Sequence, residues 1–194
     1  MHIKDNLNHI TSKLPAHVTL VAVSKTKPVS DLMEAYHAGQ RIFGENKIQE
    51  MSEKQEAMPK DIAWHMIGHV QRNKVKYMAS YVALIHGVDN FKLLKEIDKQ
   101  AKKHHRIINC LLQIKIASED SKFGMSAEDA LAIIQSEAFS ELKHICITGV
   151  MGMATFTDDQ NKIKQEFELL KATFNHLKLQ QTTNCNMETI SMGM

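Results

Sequence analysis

Apolar positions along the chain follow two alternating periods. Ile3, Leu7, Ile10 and Leu14 recur at helical spacing and stop at Pro15, which predicts a short amphipathic helix. The run Val18-Thr19-Leu20-Val21-Ala22-Val23 is too short and too β-branched for a helix and predicts a buried strand. Ser30 is expected to cap a helix over 31–38, closed by Gly39. Arg41-Ile42-Phe43 predicts a second strand and residues 45–57 a helix. Further strands are expected over 62–67, 82–85, 107–116 and 144–150, and a seventh begins at Thr189. The helices between them fall near 71–79, along the Phe91, Leu94, Ile97 and Ala101 face, after Ser126, and along Ile163, Phe167, Leu170, Phe174 and Leu177. Asp129, three residues after Ser126, resembles the second half of a capping box.

Strands in strict alternation with helices imply a parallel sheet, because each return crossover needs a helix. Strands apolar on both sides imply burial on both faces. The candidates are an open doubly wound sheet and an eight-stranded TIM (β/α)8 barrel. No Gly-x-Gly-x-x-Gly follows the first strand, which favours the barrel. Seven units leave such a barrel one short, so the natural chain is expected to continue past Met194 with a βα unit of about 30 residues. No linker rich in Pro, Gly or Ser divides residues 1–194, which are expected to form a single domain.

Composition narrows the class. With 43% apolar and 24% charged residues the chain can bury a core without disulfides or metals. A net charge of +2 gives no reason to expect nucleic acid as a partner. The basic run Lys102-Lys103-His104-His105-Arg106 ends a predicted helix, where it complements the dipole. The N-terminus carries no signal-length apolar stretch, and no apolar run is long enough to span a bilayer, so a cytoplasmic protein is expected. Cys110, Cys146 and Cys185 are odd in number and read as reduced thiols.

In such barrels the chemistry gathers where strands end. The polar residues just past the strands include Ser24-Lys25-Thr26-Lys27-Pro28, Gly44-Glu45-Asn46, Gly68-His69-Val70-Gln71 and His86-Gly87-Val88-Asp89. Lys25, one residue beyond the apolar strand, is expected to emerge from the barrel wall, where desolvation frees the amine to attack an aldehyde. Lys27 shares its face if the strand continues. Position alone leaves a second reading open, a lysine that only snorkels at a strand end. His65 and His69 have the spacing of helical metal ligands, but along an extended chain they stand about 13 Å apart, so no metal site is expected. Glu45 is the best-placed carboxylate, though at the start of a helix it would merely favour the dipole.

The segments at the strand ends also resemble a known family. Val21-Ala22-Val23-Ser24-Lys25-Thr26-Lys27-Pro28, Phe43-Gly44-Glu45-Asn46-Lys47-Ile48-Gln49-Glu50 and Trp64-His65-Met66-Ile67-Gly68-His69-Val70-Gln71-Arg72-Asn73-Lys74 are similar, in order, to signatures of the pyridoxal phosphate homeostasis proteins. So are Glu119 with Lys122 and Gly124, Gly149-Val150-Met151-Gly152-Met153, and Ser191-Met192-Gly193-Met194. The resemblance implies a barrel like the N-terminal domain of alanine racemase, binding pyridoxal 5′-phosphate (PLP) as a Schiff base on Lys25. It also implies cofactor contacts from Val23, Asn46, His65, Gly68, Met151, Ser191, Met192 and Gly193. Family members continue with Gly-Ser-Thr and Arg-Ile-Gly segments, which the resemblance implies supply most phosphate contacts and an arginine at the pyridine nitrogen. The implied function is a monomeric, non-enzymatic carrier in PLP homeostasis, with PLP-dependent apoenzymes as possible recipients. The alternatives are a PLP-dependent amino-acid racemase of the same barrel type and another Schiff-base enzyme on Lys25, such as an aldolase. The racemase reading is weakened by the chain's tyrosines, Tyr36, Tyr77 and Tyr81, which all fall in or beside predicted helices.

Overall fold

The computed structural model describes residues 2–117, 123–180 and 182–193. Glu119, Lys122 and Met194, which the family resemblance singles out, lie outside the described residues. The elements run α1 (Ile3–Thr11), β1 (Ala22–Val23), α2 (Val29–His37), β2 (Ile42–Glu45), α3 (Ile48–Ala57) and β3 (Ala63–Met66). A 3-10 helix (Arg72–Tyr77), β4 (Leu84–Val88), α4 (Phe91–Lys103) and β5 (Ile108–Gln113) follow. The last are α5 (Ala127–Gln135), α6 (Glu137–Ser140), β6 (Ile145–Met153), α7 (Gln160–Lys178) and β7 (Cys185–Gly193).

The seven strands form one parallel sheet in the order β1-β2-β3-β4-β5-β6-β7. A doubly wound sheet reverses its order at a switch point, and this one does not. Curvature follows from one contact. His86 Nδ1, on β4, lies 2.9 Å from Ser191 Oγ on β7, although β5 and β6 stand between them. In a flat sheet strands three places apart are about 14 Å distant, so this sheet curls as a barrel wall does.

Its two faces differ. Phe43, Trp64, Met66 and Ile85 are buried toward the helices, with the Phe43 and Trp64 rings 5.9 Å apart. Gly152 shares this outer side, since a Cβ there would meet Leu170 of α7. Ala63, His65 and Ile67 alternate with them on the concave face and are half-buried.

Several boundaries depart from the sequence expectations. Only Ala22–Val23 of the first apolar run pairs as strand, because the Gln40 side-chain amide reaches Leu20 O (3.1 Å) and Ile42 O (2.6 Å) and takes the place of the ladder there. Pro28 rather than Ser30 precedes the first turn of α2, its carbonyl accepting from Asp31 N–H. β5 ends at Gln113 because the chain turns aside to pair Lys115 N–H with Met125 O. β7 starts at Cys185, where buried Cys185 and Met187 alternate with exposed Asn186 and Glu188. Ser126 does cap α5, accepting from Asp129 N–H. Arg106 does more than balance a helix dipole, since it donates to Ala79 O and Val82 O at 2.8 Å. No helix among the described residues is long and apolar enough to cross a membrane.

Candidate cofactor-binding site

Lys25 sits in the turn that ends β1. Ser24 N–H extends the ladder to Gly44 O, and Lys27 N–H closes the turn on Ser24 O at 3.1 Å. The turn stops the strand, so Lys25 and Lys27 do not share a strand face as expected. Lys25 is also exposed rather than held in the wall as expected. Ser24 is buried and its hydroxyl donates to Glu45 on the helix side, while Lys25, the next residue, lies in the turn and is exposed. Its amine has no hydrogen-bond or ion-pair partner among the described residues.

Register gathers many of the sequence-predicted residues on that concave face. Val23 lies opposite Gly44 and Gly44 opposite His65. His65 Nδ1 is 3.0 Å from His86 Nε2, and His86 reaches Ser191. Ser191 is opposite Met151, and Met151 opposite Gln113. Gly193 pairs with Met153 at the end of the same strand. Met192 falls on the other side, opposite Gly152, and is about half exposed. Gly68 is required by its neighbour, because a Cβ there would stand 2.5 Å from Asn46 O. That close approach fixes Asn46 at the mouth of the sheet.

Burial lowers His65 to about 4 and His86 to about 3, the latter with a contribution from His65. Both are therefore neutral near pH 7, and a neutral imidazole has one donor and one acceptor. The His65–His86–Ser191 chain can thus run only in one sense at a time. Either His65 Nδ1–H starts it and leaves His65 Nε2 an acceptor, or Ser191 donates first and leaves His65 Nε2–H a donor. His69 takes no part. It contacts Asp89 at 3.3 Å and stacks on Phe123, so the two histidines diverge. Among the described residues no group of three or more His, Cys, Asp or Glu could hold a metal ion.

Sequence reasoning missed the charged cluster beneath the Lys25 turn. Glu45 ends β2, not a helix, and is fully buried. Its Oε1 accepts from Ser24 Oγ (2.6 Å) and from Lys54 Nζ (2.7 Å). Lys54 also donates to Ser24 O and to Glu50 Oε1, each at 2.7 Å. The Glu50–Lys54 spacing is that of an ordinary surface pair on a helix, so nothing in the local pattern marked it as buried.

The alanine racemase N-terminal domain family matches residues 1–194. The chain is 36% identical over 200 residues to the pyridoxal phosphate homeostasis protein of Pasteurella multocida, covering 99% of this chain and 84% of that one. The chain belongs to this family of pyridoxal phosphate homeostasis proteins. PipY of Synechococcus elongatus, solved without PLP, superposes with a TM-score of 0.92 at 32% identity over 100% of this chain and 89% of its own. The same protein solved with PLP bound gives 0.88 at 31% identity over the same shares. Alanine racemase from Streptomyces lavendulae, at 15% identity and a TM-score of 0.81, shares the fold over 98% of this chain and 50% of its own.

The donor set of this family member suits PLP. Two neutral imidazoles and a hydroxyl meet on the concave face, and the turn at the end of β1 adds a primary amine with no partner among the described residues, a set able to hydrogen-bond a phosphate ester and bond an aldehyde.

Proposed function

We propose that this protein binds PLP covalently through Lys25 and takes part in its intracellular homeostasis without catalytic turnover. The observation that carries this reading is the Lys25 turn, which presents a partnerless amine at the carboxyl end of β1. The amine attacks the aldehyde carbon of PLP, one water leaves, and a C=N bond remains. When bound, PLP supplies that reversible aldehyde and a ring able to accept electrons. In this reading Val23, Asn46, His65, Met151, Ser191 and Gly193, at the strand ends around Lys25, contact the bound cofactor. Kinship with pyridoxal phosphate homeostasis proteins supports the homeostasis role, and the PLP-bound PipY structure supports the cofactor.

A carrier reading also fits the tyrosines, since a racemase of this fold needs a tyrosine base at the cofactor. Tyr36 is bonded to Asp61, Tyr81 to Ser52, and Tyr77 lies exposed at the end of the 3-10 helix. We take residues 1–194 as one PLP-binding unit of a monomer acting in the cytoplasm, where three free thiols suit a reducing milieu. Transfer of PLP to apoenzymes belongs to the same proposal.

The test is spectroscopic. Protein incubated with PLP should turn yellow, and Lys25→Ala should lose the imine band; a band retained in that variant refutes the site. Loaded protein incubated with L-alanine should yield no D-isomer, and turnover at ordinary enzyme rates refutes the carrier reading.

A further inference from the structure

We propose that the ion pair of buried Lys54 with partly exposed Glu50 positions Lys25 by locking the turn that carries it, a role that rests on the reading of Lys25 given above. Thr26, next to Lys25, has φ of 65°, in the left-handed region that a β-branched residue disfavours. Its N–H donates to Glu50 Oε1 at 2.6 Å, and Lys54 Nζ donates to that same oxygen at 2.7 Å. Lys54 also holds Ser24 O, the carbonyl just before Lys25, and Glu45 Oε1. The three donors of one ammonium are thereby used, two of them on the backbone flanks of Lys25, one directly and one through Glu50. Glu50 and Lys54 lie on α3 and Glu45 on β2, so a helix and a strand fix the turn from below.

Stability alone is a poor reason for such a cluster. Buried ion pairs are often no better than apolar packing. Here Glu45 Oε2 is even left buried without a partner among the described residues. What the cluster does achieve is to hold the peptide groups on either side of Lys25. Amine attack on a carbonyl depends steeply on approach geometry, so a loosened turn should slow bond formation more than it weakens cofactor binding.

The test uses cofactor-free protein mixed with PLP. Imine growth is followed by stopped-flow absorbance, Lys25 modification by borohydride trapping and mass, and total bound PLP by alkaline release. Glu50 is partly exposed, so Glu50→Ala should fold, and Glu50→Gln keeps an oxygen for Thr26 N–H. Lys54→Met supplies a second variant. The expected result is imine formation about ten-fold slower in Glu50→Ala, near wild type in Glu50→Gln, with bound PLP little changed. Amide exchange at Thr26 in cofactor-free protein should speed up in Glu50→Ala and not in Glu50→Gln. Glu50→Ala trapping Lys25 at the wild-type rate overturns the positioning role alone, as does equal slowing in both Glu50 variants. Wild-type protein that traps no PLP on Lys25 overturns the Lys25 assignment and this role with it.

Discussion

Replacing Lys54 by methionine should destabilise the fold out of proportion to the small change in side-chain volume. The ammonium makes three contacts of 2.7 Å, to Ser24 O, Glu45 Oε1 and Glu50 Oε1. Their losses are unequal. Glu50, whose side chain is 23% exposed, can turn to water, and Ser24 O still accepts from Lys27 N–H. Glu45 cannot recover, because its side chain has no exposure and its other oxygen already lacks a partner. Breaking a buried pair in this way costs about 3–5 kcal/mol. For a chain of this size that corresponds to a fall in Tm of about 6–20 °C. Urea denaturation, with the slope held common, reads the difference directly. The double variant Glu45→Gln/Lys54→Met should recover about 1–3 kcal/mol of the loss, because the stranded charge is gone. A Lys54→Met protein within about 1 kcal/mol of wild type would refute the reasoning.

Two other outcomes follow from the site. His65 and His86 are held near 4 and 3, below the ordinary 6.5, so between these values the unfolded chain binds protons that the folded one refuses. Their contribution to stability is complete above about pH 6.5 and is lost as pH falls from there, by up to about 1.4 kcal/mol per unit for each ring. The urea midpoint should drop from about pH 7 to about pH 5 and drop less in His86→Gln; a midpoint as steep in the variant as in wild type rejects the assignment. Gly149→Ala would place a Cβ 1.8 Å from Thr189 O in the paired strand, and that neighbour is backbone held in the ladder, with little room to yield. It should cost about 3 kcal/mol or more in the same assay, and a near-neutral variant contradicts the β6–β7 register.

The alternation of periods was enough to announce a parallel sheet, because each short apolar run lies between helices and a parallel neighbour can be reached only through one, but it left the strand order open between a barrel and a doubly wound sheet. What it could not supply was contact between elements. The Val18–Leu20 segment looks like strand by itself, and only the folded position of Gln40 shows why pairing starts later. The position of Lys25 just past a strand end was legible from the apolar run before it. Its exposure was not, since that depends on a turn set by Glu50 and Lys54 from α3. His86 stood among the polar residues near a strand end but carried no sign of its partners. His65 and Ser191, 21 and 105 residues away, become its neighbours only when the sheet curls.

That difference in sequence separation orders the assembly of the site in time. Strand pairing is local throughout, each strand joining the next one made, so β1 to β4 can associate while the rest of the chain is still being synthesised. Lys25, Asn46, His65 and His86 therefore come together early, on a half-built wall. The His86–Ser191 bond is a late closure, and a nascent chain carries the Lys25 turn before the strand that reaches His86 exists.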